Sequence, residues 1–328
     1  MPDLSTSYMN LTLKNPIIVA SSDLVAKLDN VIRCQDEGAG AVVLKSIFEE
    51  QFLLEKDISE DAPGIYPEAL DYLRSGALLD YAPQEVVRLI SEAKKKISIP
   101  VIASINCRTP HLWPRFAKQL QDAGADGLEL NIYTLPLRLD QNGDQIEKEY
   151  LRIVRRVKEV TGLPLAVKIS NQFTSLPHFC RGLVEAGCDS LVLFNWFLEP
   201  DVDLDNLKIK NQKGAGNFHH VLRWIALLAG RVDGTLSASG GVKNGRDCLK
   251  LLLTGASAVQ VCSLFYEKGL EEIKTMLKEI EDWMEEKNFS SIQDFKGELS
   301  FKTRELIYRE LGEAEMLLRA QYVKTYSQ

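Results

Sequence analysis

The sequence predicts a (β/α)8 TIM barrel, and three observations carry that prediction. Short β-rich runs alternate with helix-period stretches along the chain, which implies a parallel sheet covered by helices. A glycine-bearing segment recurs where helix passes to strand. No G-x-G-x-x-G follows the first strand, as an open doubly wound sheet would lead one to expect, and Gly214-Ala-Gly216 lacks the third glycine. A chain of 328 residues fits two average domains or one large α/β barrel. The alternation selects a single domain over 1–328, with a barrel core at about 15–287 and an extension at about 288–328.

Residues 5–14 alternate in polarity and then meet Asn15-Pro16, the pattern of a short hairpin capping one end of the fold. Strands follow at 17–20, 41–45, 100–105, 127–131, 165–169, 190–194, 235–238 and 258–262. Helices stand between them at about 28–37, 84–96, 114–123, 146–161, 176–186, 221–231 and 246–253. The segments 36–42, 121–127, 184–190 and 252–258 share one form, in which Gly38, Gly124, Gly187 and Gly255 suit the left-handed position that ends a helix. Those turns mark the stability face of a barrel, opposite the rim that carries chemistry.

Two segments stand outside the eight units. Residues 57–83 form an acidic insertion after strand two, with Asp57, Glu60, Asp61, Glu68, Asp71 and Asp80 against Arg74. A loop of that length is either a lid or binding loop, or a solvated excursion with a short helix at 67–73. The charged tail reads as a last helix at 270–287 and, after Ser290, a less regular packing or dimerisation extension.

Composition sets outer limits. Forty-five per cent apolar residues suffice for a large core, and a net charge of -7 disfavours nucleic acid and anionic membrane surfaces as partners. No apolar run has the length of a membrane span, and residues 1–10 lack a secretory pattern. The six cysteines lie far apart with no C-x-x-C pair, which fits reduced thiols in a cytoplasmic protein.

Candidate chemistry gathers at the predicted strand ends. Ser239-Gly240-Gly241 after strand seven, with Asn244 or Gly245 opening the next helix, lets backbone N–H groups approach an anion at a helix terminus. Cys262-Ser263 after strand eight adds donors from the adjacent loop, where barrels commonly bind phosphate. Lys45 and Lys168 sit in or at the end of apolar runs, where an ammonium needs an anion, an electron-rich cofactor such as a flavin, or a barrel carboxylate such as Glu129. Asn106, Asn131 and Asn195 each end a strand and offer both donors and acceptors for a planar heterocycle. The stretch 128–136 breaks from an alternating strand into Asn131, Tyr133 and Thr134, and Pro136 ends any ladder pairing. The four histidines show no metal-ligand spacing, and His219 and His220 fall at the start of the sixth helix. No G-x-S-x-G elbow, P-loop or H-E-x-x-H occurs.

Taken together, these residues resemble the class 1 dihydroorotate dehydrogenases and, more closely, the dihydroorotate dehydrogenase-like FMN-binding barrels. The likeness rests on Asn15-Pro-Ile-Ile-Val-Ala-Ser-Ser22, Val-Leu-Lys45-Ser46, Leu-Asn131, Val-Lys168, Asn195, Ser239-Gly240-Gly241-Val242 and Val261-Cys262-Ser263. It implies FMN as cofactor, with Ala20, Ser21 and Ser22 against the isoalloxazine. Ser46, Asn106, Asn131 and Lys168 would surround the ring and substrate, and Lys45 would join the catalytic groups there. The turns at Ser239, Gly240 and Gly241 and at Cys262 and Ser263 would hold the phosphate. Asn131 and Asn195 would bind substrate. The family's Cys or Ser base falls on Thr134, with Tyr133 beside it as an alternative acid or base. The asparagine two positions later is Pro136, and the asparagine-rich loop after Lys-Ser is replaced by Ile47-Phe-Glu-Glu-Gln51.

The activity this implies is oxidation across a CH–CH bond, dihydroorotate to orotate in pyrimidine biosynthesis, with a soluble acceptor or a partner subunit taking the electrons and a homodimer as one assembly. The alternatives are an FMN enzyme for another dihydropyrimidine or an enone, a non-redox phosphate-binding lyase or isomerase, and a flavoprotein that serves as a binding partner.

Overall fold

The computed structural model describes residues 1–49, 84–196, 200–211 and 216–303. The acidic insertion at 57–83, its expected helix at 67–73, Gly214 and the chain beyond 303 lie outside them. In chain order the strands are β1 (Thr6–Tyr8), β2 (Leu11–Leu13), β3 (Ile17–Val19), β4 (Ala41–Val43), β5 (Ile47–Phe48), β6 (Val101–Asn106), β7 (Gly127–Asn131), β8 (Leu165–Ile169), β9 (Ser190–Leu193), β10 (Pro200–Asp203), β11 (Lys208–Asn211), β12 (Thr235–Ser239) and β13 (Ala258–Val261). The helices are α1 (Leu28–Asp36), α2 (Gln84–Lys96), α3 (Leu112–Asp122), α4 (Gly143–Val160), α5 (Leu176–Glu185), α6 (Phe218–Leu228), α7 (Gly245–Leu253), α8 (Ser263–Lys268) and α9 (Glu272–Lys287).

Strands β3, β4, β6, β7, β8, β9, β12 and β13 pair in parallel, and the β13–β3 and β4–β6 ladders close the ring. This is the (β/α)8 barrel that the alternation predicts. Gly38, Gly124, Gly187 and Gly255 take φ of +102°, +98°, +112° and +112°, so the recurring segment is a left-handed helix stop repeated four times.

The N-terminal hairpin plugs one end of the barrel. Met9 and Asn10 both have positive φ, which gives β1–β2 a two-residue turn. Tyr8, Met9 and Leu13 pack against Ile18, Ala41, Val43, Ile102, Ala166, Val192 and Ala258, the inward residues of six strands. Met9 occupies the place of a side chain at Gly127, where an added Cβ would lie 2.7 Å from Cε.

Strand periodicity does the rest. Two or four residues beyond these inward positions, Ala20, Lys45, Asn106, Lys168, Phe194 and Cys262 share the opposite, C-terminal rim. One sequence therefore codes both a dry plug and a polar mouth.

Helix starts differ from the sequence reading by up to three residues, and caps set the largest shifts, those of α4 and α6. Asn142 and Gln145 form a reciprocal capping box that starts α4 at Gly143 instead of 146. Asn217 caps α6 by accepting from the His220 amide, so His219 and His220 occupy its first turn as expected. Past α9, Asp3 and the 290–292 segment exchange backbone hydrogen bonds of 2.8 and 3.1 Å, which fixes the start of the extension against the N-terminus.

Candidate active site

At the C-terminal rim a cavity of about 230 Å³ opens between β3, β8, β9, β12 and β13. Nine sequence-predicted residues line it: Ala20, Ser21, Lys168, Asn195, Ser239, Gly240, Gly241, Cys262 and Ser263. Ser22, Lys45, Ser46, Asn106, Asn131, Tyr133 and Thr134 lie outside its immediate wall. Some of these reach it through the first group. The Ser46 amide donates to Ser21 Oγ at 2.9 Å, and a hydroxyl chain runs Ser21–Ser46–Ser104 at 3.0 and 2.7 Å. Asn195 Nδ2 donates to Asn131 Oδ1 at 2.8 Å. That bond leaves the Asn131 amide nitrogen and the Asn195 carbonyl oxygen as the atoms of the pair not used between them.

The glycine turn ending β12 is forced by close packing. Gly240 has φ +120° and Gly241 φ +75°. A Cβ on Gly241 would lie 2.4 Å from the Gly216 carbonyl oxygen and 2.7 Å from the Phe218 nitrogen. One on Gly240 would lie 2.1 Å from the Trp196 indole nitrogen, which itself donates to the Ser239 carbonyl at 3.2 Å.

The expected helix-terminal anion site needs correction. The Gly245 amide donates to Glu279 at 2.7 Å, the Asp247 amide to the Asn244 side chain at 2.9 Å, and the Lys243 amide to Asp247 at 3.1 Å. Side chains thus take up the Lys243, Gly245 and Asp247 amides around the start of α7.

The two lysines differ sharply. Lys45 pairs with Asp23 at 2.6 Å, with both side chains well exposed. Lys168 is 8% exposed and donates to Gln260 Oε1 at 3.3 Å, and Gln260 Nε2 donates in turn to the fully buried Glu129 at 2.5 Å. The expected lysine–Glu129 contact is thus made through an amide. Burial holds the Cys262 thiol above its ordinary range, against the pull of Ser22 and Lys168, so it remains a thiol in the wall.

Past β7, Tyr150 of α4 braces the rim. Its hydroxyl donates to the Ile132 carbonyl at 3.2 Å and accepts from the Thr134 amide at 3.1 Å. Its ring sits edge-on to Phe173 and Phe179. Burial pushes the Tyr150 phenol up, against the hydrogen bonds from Thr134. Tyr133 is 41% exposed, and partial burial pushes its phenol up as well. Tyr133 therefore stays a protonated phenol, able to donate a hydrogen bond. Tyr150→Phe keeps the ring packing and removes both bonds. The expected loss is about 1–3 kcal/mol of stability, read from the urea midpoint.

Across the rim, Glu49 accepts from the Arg108 and Thr109 amides at 2.6 and 2.7 Å and from the Thr109 hydroxyl. Its carboxylate is thereby committed to the loop after β6. Among the described residues, no group of three His, Cys, Asp or Glu could hold a metal ion, and no helix is long and apolar enough to cross a membrane.

Sequence reasoning missed Gln260, Trp196 and Tyr150. Gln260 carried the same signal as the lysines, a polar group inside an apolar strand. Tyr150 did not, because its spacing with Ile153, Val154 and Val157 reads as an ordinary buried helix face.

Comparison with known proteins agrees with this architecture. The family model described as dihydroorotate dehydrogenase matches residues 3–284. The catalytic subunit of dihydroorotate dehydrogenase B (NAD(+)) from Pyrococcus furiosus is 28% identical, with 90% of this chain and 98% of that protein covered. The corresponding subunit from Methanothermobacter thermautotrophicus is 26% identical over 90% and 97%. The chloroplastic dihydropyrimidine dehydrogenase (NADP(+)) of Arabidopsis thaliana is 24% identical over 90% and 76%. With a family match spanning most of its length and the barrel closed as described, the chain belongs to the dihydroorotate dehydrogenase family.

Proposed function

We propose that the chain is an FMN-dependent dehydrogenase that oxidises dihydroorotate to orotate. The observation that carries this reading is Lys168, a buried ammonium in the cavity wall whose hydrogen-bond acceptor is a neutral amide. Such a cation favours an electron-rich ligand in the cavity. The glycine turn fits the other end of the same cofactor, because its backbone donors stand clear of any Cβ.

On this reading Ser239, Gly240, Gly241, Cys262 and Ser263 hold the phosphate. Ala20, Ser21, Ser22, Ser46 and Asn106 flank the ring system, and Lys168 donates to its pyrimidine edge. When bound, FMN supplies a two-electron acceptor for the substrate hydride. Asn131 and Asn195 orient the substrate ring with the amide nitrogen and carbonyl oxygen not used between them. Thr134 takes the proton from the carbon next to the one that loses hydride and passes it to water. Tyr133, kept protonated, donates a hydrogen bond at the rim, and Lys45 stands beside the ring with Asp23 as its partner.

Purified protein should retain FMN, or take it up on reconstitution, and anaerobic dihydroorotate should bleach the oxidised flavin absorbance. Absence of flavin uptake would remove the FMN reading, and persistent absorbance with dihydroorotate would remove the orotate assignment. Thr134→Ala should keep FMN and its reduction by dithionite while slowing bleaching by dihydroorotate by about 10²–10⁴-fold. Tyr133→Phe should slow it less than about tenfold.

A further inference from the structure

The eight barrel strands carry one acid and one base: Glu129 on β7 and Lys168 on β8. Both are buried, Glu129 completely. Gln260 of β13 spans them, with Nε2 donating to Glu129 Oε2 at 2.5 Å and Oε1 accepting from Lys168 Nζ at 3.3 Å. An ionised carboxylate only accepts, so Glu129 dictates which way round the Gln260 amide lies. The carbonyl then faces Lys168 and ties down one of its N–H groups, while Lys168 itself lines the cavity.

No other charge competes inside the barrel strands. Tyr8 reaches in from the hairpin, but burial first and the Glu129 charge second push its phenol up, so it stays neutral. The remaining carboxylate oxygen, Glu129 Oε1, is buried with no hydrogen-bond partner among the described residues. A carboxylate held in this way is poorly screened, and its field reaches the cavity floor at low effective dielectric.

We propose that Glu129 is the buried counter-charge of Lys168, acting across the Gln260 amide, and that the pair sets the reduction potential of the flavin above it. This rests on the FMN binding proposed above. Lys168 favours the reduced flavin, which carries added negative charge. Glu129, behind it, offsets part of that preference. Removing the acid raises the potential, removing the base lowers it, and removing both cancels.

The test measures the midpoint potential at saturating FMN, by equilibration with a reference dye, for wild type, Glu129→Gln, Lys168→Met and the double variant. Glu129→Gln should favour reduced over oxidised flavin by about tenfold, which for a two-electron couple is about 30 mV more positive. Lys168→Met should move it the other way, and the double variant should return most of the distance to wild type. Packing damage predicts no such cancellation. Glu129→Gln combined with Gln260→Glu moves the carboxylate one side chain closer to Lys168 and should bring the potential back to, or below, the wild-type value. Should Lys168→Met fail to fold, the contrast between Glu129→Gln and that charge-shifted variant decides the matter. A Glu129→Gln potential that is unchanged or more negative overturns the inference, as does a double variant further from wild type than either single one. Wild-type protein that takes up no FMN overturns the functional reading with it. Wild type that binds FMN while Glu129→Gln leaves its potential unmoved overturns this inference alone.

Discussion

Lys168→Met is expected to lower the unfolding free energy of the FMN-free protein by about 3–5 kcal/mol, the usual result of stranding a buried charge. The cost arises at Glu129. Its carboxylate is fully buried, and among the described residues one of its oxygens has no hydrogen bond and its link to a cation runs through Gln260. Glu129→Gln in the same chain removes the stranded charge, so the double variant should regain most of the loss. Guanidinium unfolding measures this, with an unchanged m value showing that the denatured state is not the cause. The non-additive part is the coupling between the two residues. Equal losses in the presence and absence of Glu129 would mean that the two do not sense each other. Lys45 supplies the contrast. Its bond to Asp23 is shorter, at 2.6 Å, but both side chains are exposed, and such a pair contributes about 1 kcal/mol at most. Two strand-end lysines that look alike in sequence therefore differ severalfold in energetic weight, and burial is the reason.

That contrast shows what the sequence discloses. The barrel was legible because its signals are local and repeated. Four helix-stopping glycines each need a left-handed backbone, and eight short β-rich runs alternate with helix-period stretches. The hairpin at 200–211 escaped notice because Pro200-Asp-Val-Asp203 alternates with charges and lacks a buried apolar face. Val202 and Ile209 sit opposite each other in its register and are both exposed. The limits of α3, α4 and α6 shifted by two or three residues where caps or a preceding turn, and not apolar periodicity, start the helix.

The site was legible one residue at a time but not in its connections. A lysine or asparagine at a strand end announces itself by the cost of burying it. Which partner meets it depends on ring closure, which brings β13 beside β3 and sets Gln260 between Glu129 and Lys168, residues far away in sequence. The same closure explains the misplaced anion site. Glu279 comes from α9 to take the Gly245 amide, and nothing near residue 245 foretells it. Trp196 was equally hidden, since its role lies in filling the space left by Gly240.

Gly241→Ala should be the most damaging single change in the cofactor site. At φ +75° an L-residue is strained by about 1–3 kcal/mol before any contact is considered. The new methyl then meets the Gly216 carbonyl oxygen at 2.4 Å and the Phe218 nitrogen at 2.7 Å. Both are backbone atoms, and Phe218 is pinned as the first residue of α6 by the Asn217 cap. Relief requires the 239–241 turn or the start of α6 to move, and either movement disperses the backbone donors. The expected result is a loss of about 2–5 kcal/mol in stability, with FMN affinity down at least about 100-fold, as befits the loss of charge-assisted hydrogen bonds. Gly240→Ala differs in kind. Its methyl meets the Trp196 indole at 2.1 Å, a side chain that can turn away, so Trp196→Ala should rescue part of its defect and none of that of Gly241→Ala. Thermal melting and FMN fluorescence quenching on the two glycine variants, each with and without Trp196→Ala, separate strain from cofactor loss. If Gly241→Ala is destabilised yet binds FMN with wild-type affinity, the turn is a packing device only, and the phosphate must be held by the 262–263 donors instead.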